Sequence, residues 1–248
     1  MITAKEIAEF LNKELDINCI EDKSCNGLQM ENQGEITKIG FAVDACLETF
    51  EKSAEAGCQM LVVHHGMIWD RSKPIRGNNY KRLKILFEKN LSLYGVHLPL
   101  DKHDKYGNNI VLANLLGLTE IKPFGFHGKK TIGFYGSIET NLEEIKAKLT
   151  ANGMKTDSFC YGPKEIKKVA IVSGSFGEGA YQAISLGADL YLTGEKKYNY
   201  LQLAKENNFN IICGGHYATE TVGVKALMPL LKEKFNVKVE FIDNPVDI

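Results

Sequence analysis

Two adjacent histidines, His64 and His65, end the apolar run Leu61-Val62-Val63 and run straight into Gly66. They are two of only six histidines in the chain. Two more stand four residues ahead of a carboxylate, as His97 before Asp101 and His216 before Glu220, and Glu195 follows Leu192-Thr193-Gly194. Imidazoles and carboxylates are the ligand types that zinc, iron, manganese and cobalt share, and a carboxylate can bridge two ions. Positions i and i+4 of a helix share a face, so a helix starting near Tyr217 or Ala218 lets His216 and Glu220 reach one ion. Successive residues of a strand point to opposite sides. His64 and His65 are therefore expected to serve different ions of a pair, unless the turn at Gly66 swings one of them. One histidine alone, such as His64, is as well explained as a core residue. A whole set of imidazoles and carboxylates at strand ends has no packing reason to coincide. Two histidines, one aspartate, a third histidine and a glutamate from these positions would make a two-metal set. A water bridging such a pair of ions loses its proton near neutral pH and becomes a nucleophile.

These groups need a scaffold that delivers them to one edge. Residues 36–43, 59–64 and 91–97 read as strands, and residues 46–57 and 80–90 between them as helices, the first stopped by Gly57 in a left-handed cap. After a strand-like stretch at 131–138 the rhythm returns, with strands in 167–174, 188–194 and 209–216 and helices in 178–187 and 200–208. A capped helix from Thr219 and a strand at 237–242 complete the chain. Such alternation predicts an α/β fold with parallel or mostly parallel sheets covered by helices, and its functional groups gather at the carboxyl ends of strands. The second round looks like a copy of the first. Residues 39–43 fall on 169–173, Gly57 falls on Gly187, and with a shifted offset His97 meets His216 and Asp101 meets Glu220. The expectation is two similar, closely packed α/β lobes, 1–125 and 126–248, related by an internal pseudo-repeat. No glycine-, proline- or serine-rich linker separates them.

The remaining composition narrows the class. A net charge of -1 with 25% charged residues argues against general nucleic-acid affinity as the main business. No apolar run approaches the roughly 18 residues that span a bilayer. The N-terminus carries a Thr3-x-x-Glu6 capping box on an amphipathic helix and does not read as a signal peptide. Cys19, Cys25, Cys46, Cys58, Cys160 and Cys213 are scattered with no C-x-x-C pair, as expected of free thiols in a reducing cytosol. A cytoplasmic protein is the expectation.

The stretches VVHHGMIW, YGVHLPLD with the following GNN, LTGE, GGHYATE and the early NGLQ (26–29) resemble the NGG-interacting factor three-like family, whose members carry the name GTP cyclohydrolase I type 2 homologue. The resemblance covers essentially the whole chain. It implies two divalent ions (zinc, iron, manganese or cobalt) held by His64, His65, Asp101, His216 and Glu220, two similar α/β lobes without an inserted domain, and a toroidal homohexamer. It also implies a metal-dependent hydrolase of an anionic or nucleotide-like substrate, although the ligand set does not itself choose one. The family names suggest an alternative, a metal-bearing regulatory protein that meets nucleic acid or transcription-related partners. His97 and Glu195 are candidate catalytic or ligand-orienting groups beside the metals. One departure stands out: after T-G-E many relatives carry one or two histidines, where this chain has Lys196-Lys197-Tyr198-Asn199-Tyr200. Either Tyr198 or Tyr200 takes over that role, or no residue does. Finally, all three arginines, Arg71, Arg76 and Arg82, lie in the dozen residues after Asp70 with Lys73, Lys81 and Lys84. Arginines bind phosphate and carboxylate groups bidentately, so Arg71 and Arg76 are candidate substrate contacts, with Trp69 as a stacking partner or packing residue. The Gly174–Gly179 segment, glycine-rich before a helix, is a weaker anion-binding candidate.

Overall fold

The computed structural model describes residues 1–70 and 74–246, so Arg71 and Lys73 lie outside the described residues. The chain divides into two compact units, Met1–Leu100 with Val224–Asn244, and one built on Asp101–Gly223. The first holds α1 (Ala4–Glu14), β1 (Gly27–Met30), β2 (Lys38–Asp44), α2 (Leu47–Glu55), β3 (Met60–His65), α3 (Gly77–Glu88) and β4 (Ser92–Gly95). Helix α4 (Leu98–Lys102) leads out of it. In the second unit follow α5 (Asn108–Leu116), β5 (Thr119–His127), β6 (Lys130–Asn141), α6 (Leu142–Ala151) and β7 (Asp157–Cys160). Then come β8 (Glu165–Val172), α7 (Gly179–Ser185), β9 (Leu190–Thr193), α8 (Tyr200–Glu206) and β10 (Asn210–Cys213). Helix α9 (His216–Phe235) returns the chain to the first unit, where β11 (Lys238–Phe241) ends it.

This division departs from the expected 1–125 and 126–248. Strand β11 pairs in parallel with β2, so the C-terminal segment completes the first sheet. Strand β5 pairs with β6, so residues 119–125 belong to the second. The fold is α/β with two mixed sheets, in the orders β1-β4-β3-β2-β11 and β5-β6-β8-β9-β10-β7. In both, the central strands are parallel and an antiparallel strand closes an edge, β1 on β4 and β7 on β10. Strands β3, β4, β9 and β10 are buried along essentially their whole length. That is why they read as unbroken apolar runs and not as alternation. In the first unit Phe50, Leu61, Val63, Leu86 and Leu93 share a core. In the second, Leu112, Ile145, Leu149, Val169, Leu192 and Ile212 do. The expected capping box of α1 is formed, with the Thr3 hydroxyl accepting from Glu6 N at 3.3 Å and Thr3 N donating to the Glu6 carboxylate at 2.8 Å.

The duplication extends to hydrogen bonds that no periodicity reveals. Ile39 pairs with Met60 and Val169 with Leu190, the same register at the same offset. Gly57 and Gly187 have φ of 72° and 69°. The Gln59 side chain accepts from Thr37 N and Lys38 N at 3.0 and 2.9 Å. Asp189 accepts from Lys167 N and Lys168 N at 2.8 and 2.9 Å. Beyond β4 and β10 the offset changes as expected, but the partners shift by one. Met60 pairs with Ser92 and Leu190 with Asn210, which places Gly215, not His216, at the register of His97. The second copy holds one extra residue there, and that glycine lets α9 begin at His216 instead of Thr219.

Asp189→Ala strips the acceptor from two strand-entry amides. It is expected to lower the unfolding free energy by about 1–3 kcal/mol, read by urea denaturation; a change within experimental error would discount this brace.

Candidate metal centre

The histidine pair sits where β3 runs out. His64 is fully buried and His65 partly so. His64 Nδ1 lies 3.0 Å from the Val96 carbonyl and His65 Nδ1 2.8 Å from Asp44 Oδ1. These acceptors lie on the neighbouring strand ends, beyond β4 for one and on β2 for the other. Yet the two rings do not diverge. Their centroids are 4.7 Å apart, and His97 joins them at 5.1 Å from His64 and 5.6 Å from His65. One ligand atom from each of the three lies within 4.8 Å of the others, a group that could hold a metal ion. The expectation that adjacent histidines must serve separate ions is therefore not imposed by geometry, because the strand ends at His65 and the turn begins.

That turn is built by the NGLQ stretch. Gln29 Oε1 accepts from Met67 N at 2.7 Å and Ile68 N at 3.0 Å, satisfying two amides that leave the ladder. A Cβ on Gly66 would overlap the Gln29 amide, so only glycine lets the side chain approach. Asn26 Oδ1 accepts from His97 N at 2.8 Å. Asp22 accepts from Leu98 N at 2.9 Å, from Asn26 Nδ2 at 3.1 Å and stands 3.0 Å from His97 Nδ1. Burial works to raise the Asp22 carboxyl, but hydrogen bonds from His97, Ser24 and Asn26 outweigh it and hold it well below the usual carboxylate range. Trp69 donates to the Gly66 carbonyl at 2.8 Å and packs edge-on against His97 at 5.1 Å. Arg76 stands exposed at the start of α3.

The second unit carries the carboxylates. Asp101, buried on α4, accepts from Asn108 Nδ2 at 2.8 Å and Ser173 Oγ at 3.1 Å. Asn109 ties the same place together, donating to the Asp101 and Ile132 carbonyls and accepting from Ser173 N at 2.6 Å. The GNN stretch is thus the frame of Asp101. His216 and Glu220 stack one turn apart at the start of α9, with Nε2 3.1 Å from Glu220 Oε2. Carboxylate oxygens of Glu220 and Asp101 come within 4.8 Å of each other. Gly174 adopts φ +59°, and a Cβ there would collide with the Glu220 carboxylate, so the glycine leaves the space that Glu220 fills.

On its far side the His216 ring meets Glu195, with Nδ1 2.7 Å from Oε1. Lys197 donates to Glu195 Oε2 and, at 2.6 Å, to Ser175 Oγ. Burial works to raise the Glu195 carboxyl, yet hydrogen bonds from Lys197, His216 and Ser175 hold it at about 2. Burial likewise works to lower the His216 imidazole, and Glu220, then Glu195, raise it to about 9. Of the two alternatives for the KKYNY segment, a substituting tyrosine or none, the structure places neither tyrosine at the centre: Tyr198 is fully exposed and Tyr200 fully buried in the core. Asp22, Asp44, Ser173 and Lys197 escaped the sequence reading. Asp44 alone left a signal, a carboxylate ending an apolar strand in FAVD.

All four histidines thus share one arrangement. Carbonyl and ionised carboxylate oxygens only accept, so each Nδ1 carries a proton. On His64, His65 and His97 the lone pair of the neutral ring then sits on Nε2, whereas His216 Nε2 also faces a carboxylate, Glu220, and without an ion that ring is held charged. Metal-binding histidines are held in this way, and the residues fit a metal. Asp44→Ala is expected to weaken divalent-ion binding about 10–100-fold, measured by chelator competition, and wild-type affinity would discount the assignment. Asp22, a depressed carboxylate, contributes stability above its unfolded value of 3.8 that is lost as the pH falls through and below it. The stability gap between wild type and Asp22→Asn should therefore close on acidification, and a gap independent of pH would contradict it.

Comparison with known proteins gives the chain its relatives. The model of the Duf34/NIF3 (NGG1p interacting factor 3) family matches residues 2–246. Proteins named GTP cyclohydrolase 1 type 2 homolog from Pyrococcus horikoshii and Pyrococcus abyssi are 46% and 43% identical, across 98% of this chain and 98% and 99% of theirs. The crystal structure of TTHA1606 from Thermus thermophilus aligns with a TM-score of 0.91 at 35% identity, covering 100% of both chains. By sequence and by fold, this chain belongs to the Duf34/NIF3 family.

Proposed function

We propose that the protein is a dinuclear-metal hydrolase of an anionic, nucleotide-like substrate, with His64, His65, Asp101, His216 and Glu220 as the ligands of two divalent ions. The observation that carries this reading is the common anchoring of the imidazoles. His64, His65, His97 and His216 each have Nδ1 against an oxygen acceptor, a set of polar contacts that packing alone does not call for. The donor set suits zinc, iron, manganese or cobalt. When bound, the ions supply Lewis acidity and a water that deprotonates near neutral pH. The chain's own groups do the rest. Asp22 keeps the proton of His97 on Nδ1, so His97 Nε2 is the atom that takes up a proton from the reacting water and returns it to the leaving group. Trp69 shields that ring from solvent on one edge. Arg71 and Arg76 are assigned to the anionic groups of the substrate, and the relatives' name points to hydrolysis of a purine nucleotide ring.

A second reading, an anion-binding regulatory protein, is favoured by one surface. Helix α3 exposes Tyr80 and Phe87 beside Lys81 and Lys84, a mixture of aromatic and basic groups suited to nucleic acid.

The two readings separate in one experiment. The purified chain, reloaded with zinc, iron or manganese, should hold about two equivalents and hydrolyse a member of a nucleotide panel. His65→Ala and Glu220→Ala, folded by circular dichroism, should lose metal and fall to background. No bound metal after reloading would overturn the site. Flat assays with salt-sensitive nucleic-acid binding that persists in both variants would replace the enzyme by the second reading.

A further inference from the structure

We propose that Lys197 is a positioning residue for the metal ligand His216, acting through Glu195 as a clamp on the ligand's outer nitrogen. The inference rests on the metal-centre reading above and extends it to Lys197.

The geometry is a relay of fixed contacts within the second unit. Lys197 Nζ grips Glu195 Oε2 and is itself held by Ser175 Oγ at 2.6 Å. The other oxygen, Oε1, meets His216 Nδ1 at 2.7 Å, and Nε2 of the same ring faces Glu220 at 3.1 Å. With each oxygen engaged by a different donor the carboxylate cannot rotate, and the imidazole it holds cannot flip. The backbone beneath is equally tied. Glu195 N donates to the Gly174 carbonyl at 2.8 Å, Gly215 N to the Gly194 carbonyl at 3.0 Å, and Gly174 N to Thr219 Oγ1 at 3.1 Å. The loops after β8, β9 and β10 therefore present Ser175, Glu195 and His216 as one assembly, and Lys197 reaches across it.

Two features argue against an ordinary surface ion pair. The side chains of Lys197 and Glu195 are only 32% and 31% exposed. The neighbouring Lys196 supplies the contrast, because it pairs with Asp157 at 3.2 Å with both side chains more than half exposed. Tyr198 points wholly to solvent and Tyr200 into the core. Of the residues at 196–200, Lys197 is the one that reaches Glu195.

The sign of the effect separates positioning from plain electrostatics. Removing a positive charge near a cation site relieves Coulomb repulsion and should leave metal affinity unchanged or tighten it. Removing a positioning contact weakens it, typically 10–100-fold. The experiment titrates full-length chain with Zn2+ against a competing chelator. Lys197→Met and Glu195→Gln are each expected to lose about 10–100-fold in affinity, and the double variant no more than the greater single loss, because both break one relay. Lys197→Arg, which keeps a donor to both partners, should stay within a few-fold of wild type. Lys196→Met should match wild type or bind tighter. Thermal midpoints of the metal-free variants, unchanged because a part-exposed ion pair adds little stability, exclude unfolding as the cause. Affinity in Lys197→Met equal to or above wild type overturns the proposal while leaving the metal centre standing. A wild-type chain that binds no Zn2+ overturns both.

Discussion

A carbonyl or carboxylate oxygen facing an imidazole nitrogen can only accept, and that constraint organises this protein. It places a proton on Nδ1 of His64, His65, His97 and His216, and for the first three leaves Nε2 as the nitrogen the neutral ring presents. The acceptors come from separate places in the chain: the Val96 carbonyl after β4, Asp44 at the end of β2, Asp22 in the loop before β1, and Glu195 after β9. Two of them are positioned by donors of their own, Glu195 by Lys197 and Asp22 by several. Asp22 is itself pinned by Leu98 N, Ser24 N and Asn26 Nδ2. Moving any of these acceptors would release a ring without touching the ring itself.

The duplicated scaffold explains where these groups can stand. A parallel strand that ends at its carboxyl edge leaves backbone amides and carbonyls without ladder partners, and side chains there are released from the sheet's alternation. Both copies use that edge, with matching register and matching braces at Gln59 and Asp189. They fill it differently. The first places imidazoles at the end of β3, where the second has Gly194 and Glu195. The residue inserted before His216 starts α9 early enough to stack His216 on Glu220.

Glycines and amides do the fitting. Gly66 exists as glycine because the Gln29 side chain occupies the space of its Cβ, and Gly174 because Glu220 does. Asn108 and Asn109 join Asp101 to Ser173, Ile132 and Gly223. Such residues touch no ion and react with nothing. They set the distances between the imidazoles and carboxylates, although the side chains of NGLQ and GNN are chemically quiet.

The strands, their parallel pairing and the repeated rhythm were legible because burial on both faces forces continuous apolar runs, and 3.6- and 2-residue periods leave marks over a few residues. The metal-ligating residue types were legible too, as imidazoles and carboxylates in excess of any packing need. Other features were not. The unit boundary at Leu100 depends on β11 returning to β2, a pairing between residues about two hundred apart that no local pattern encodes. Asp22 and Lys197 are ordinary charged residues in loops, and their roles exist only because the chain brings His97 and Glu195 to them. The convergence of His64 and His65 overrode strand alternation, since the turn at Gly66 is shaped by Gln29 from a distant strand. Sequence by itself determined which elements form and which chemistry is on offer, because both follow from local pattern and residue type. Tertiary structure alone decided which nitrogen each histidine presents and which charged neighbours hold it, because those depend on acceptors that meet only when the sheets are formed.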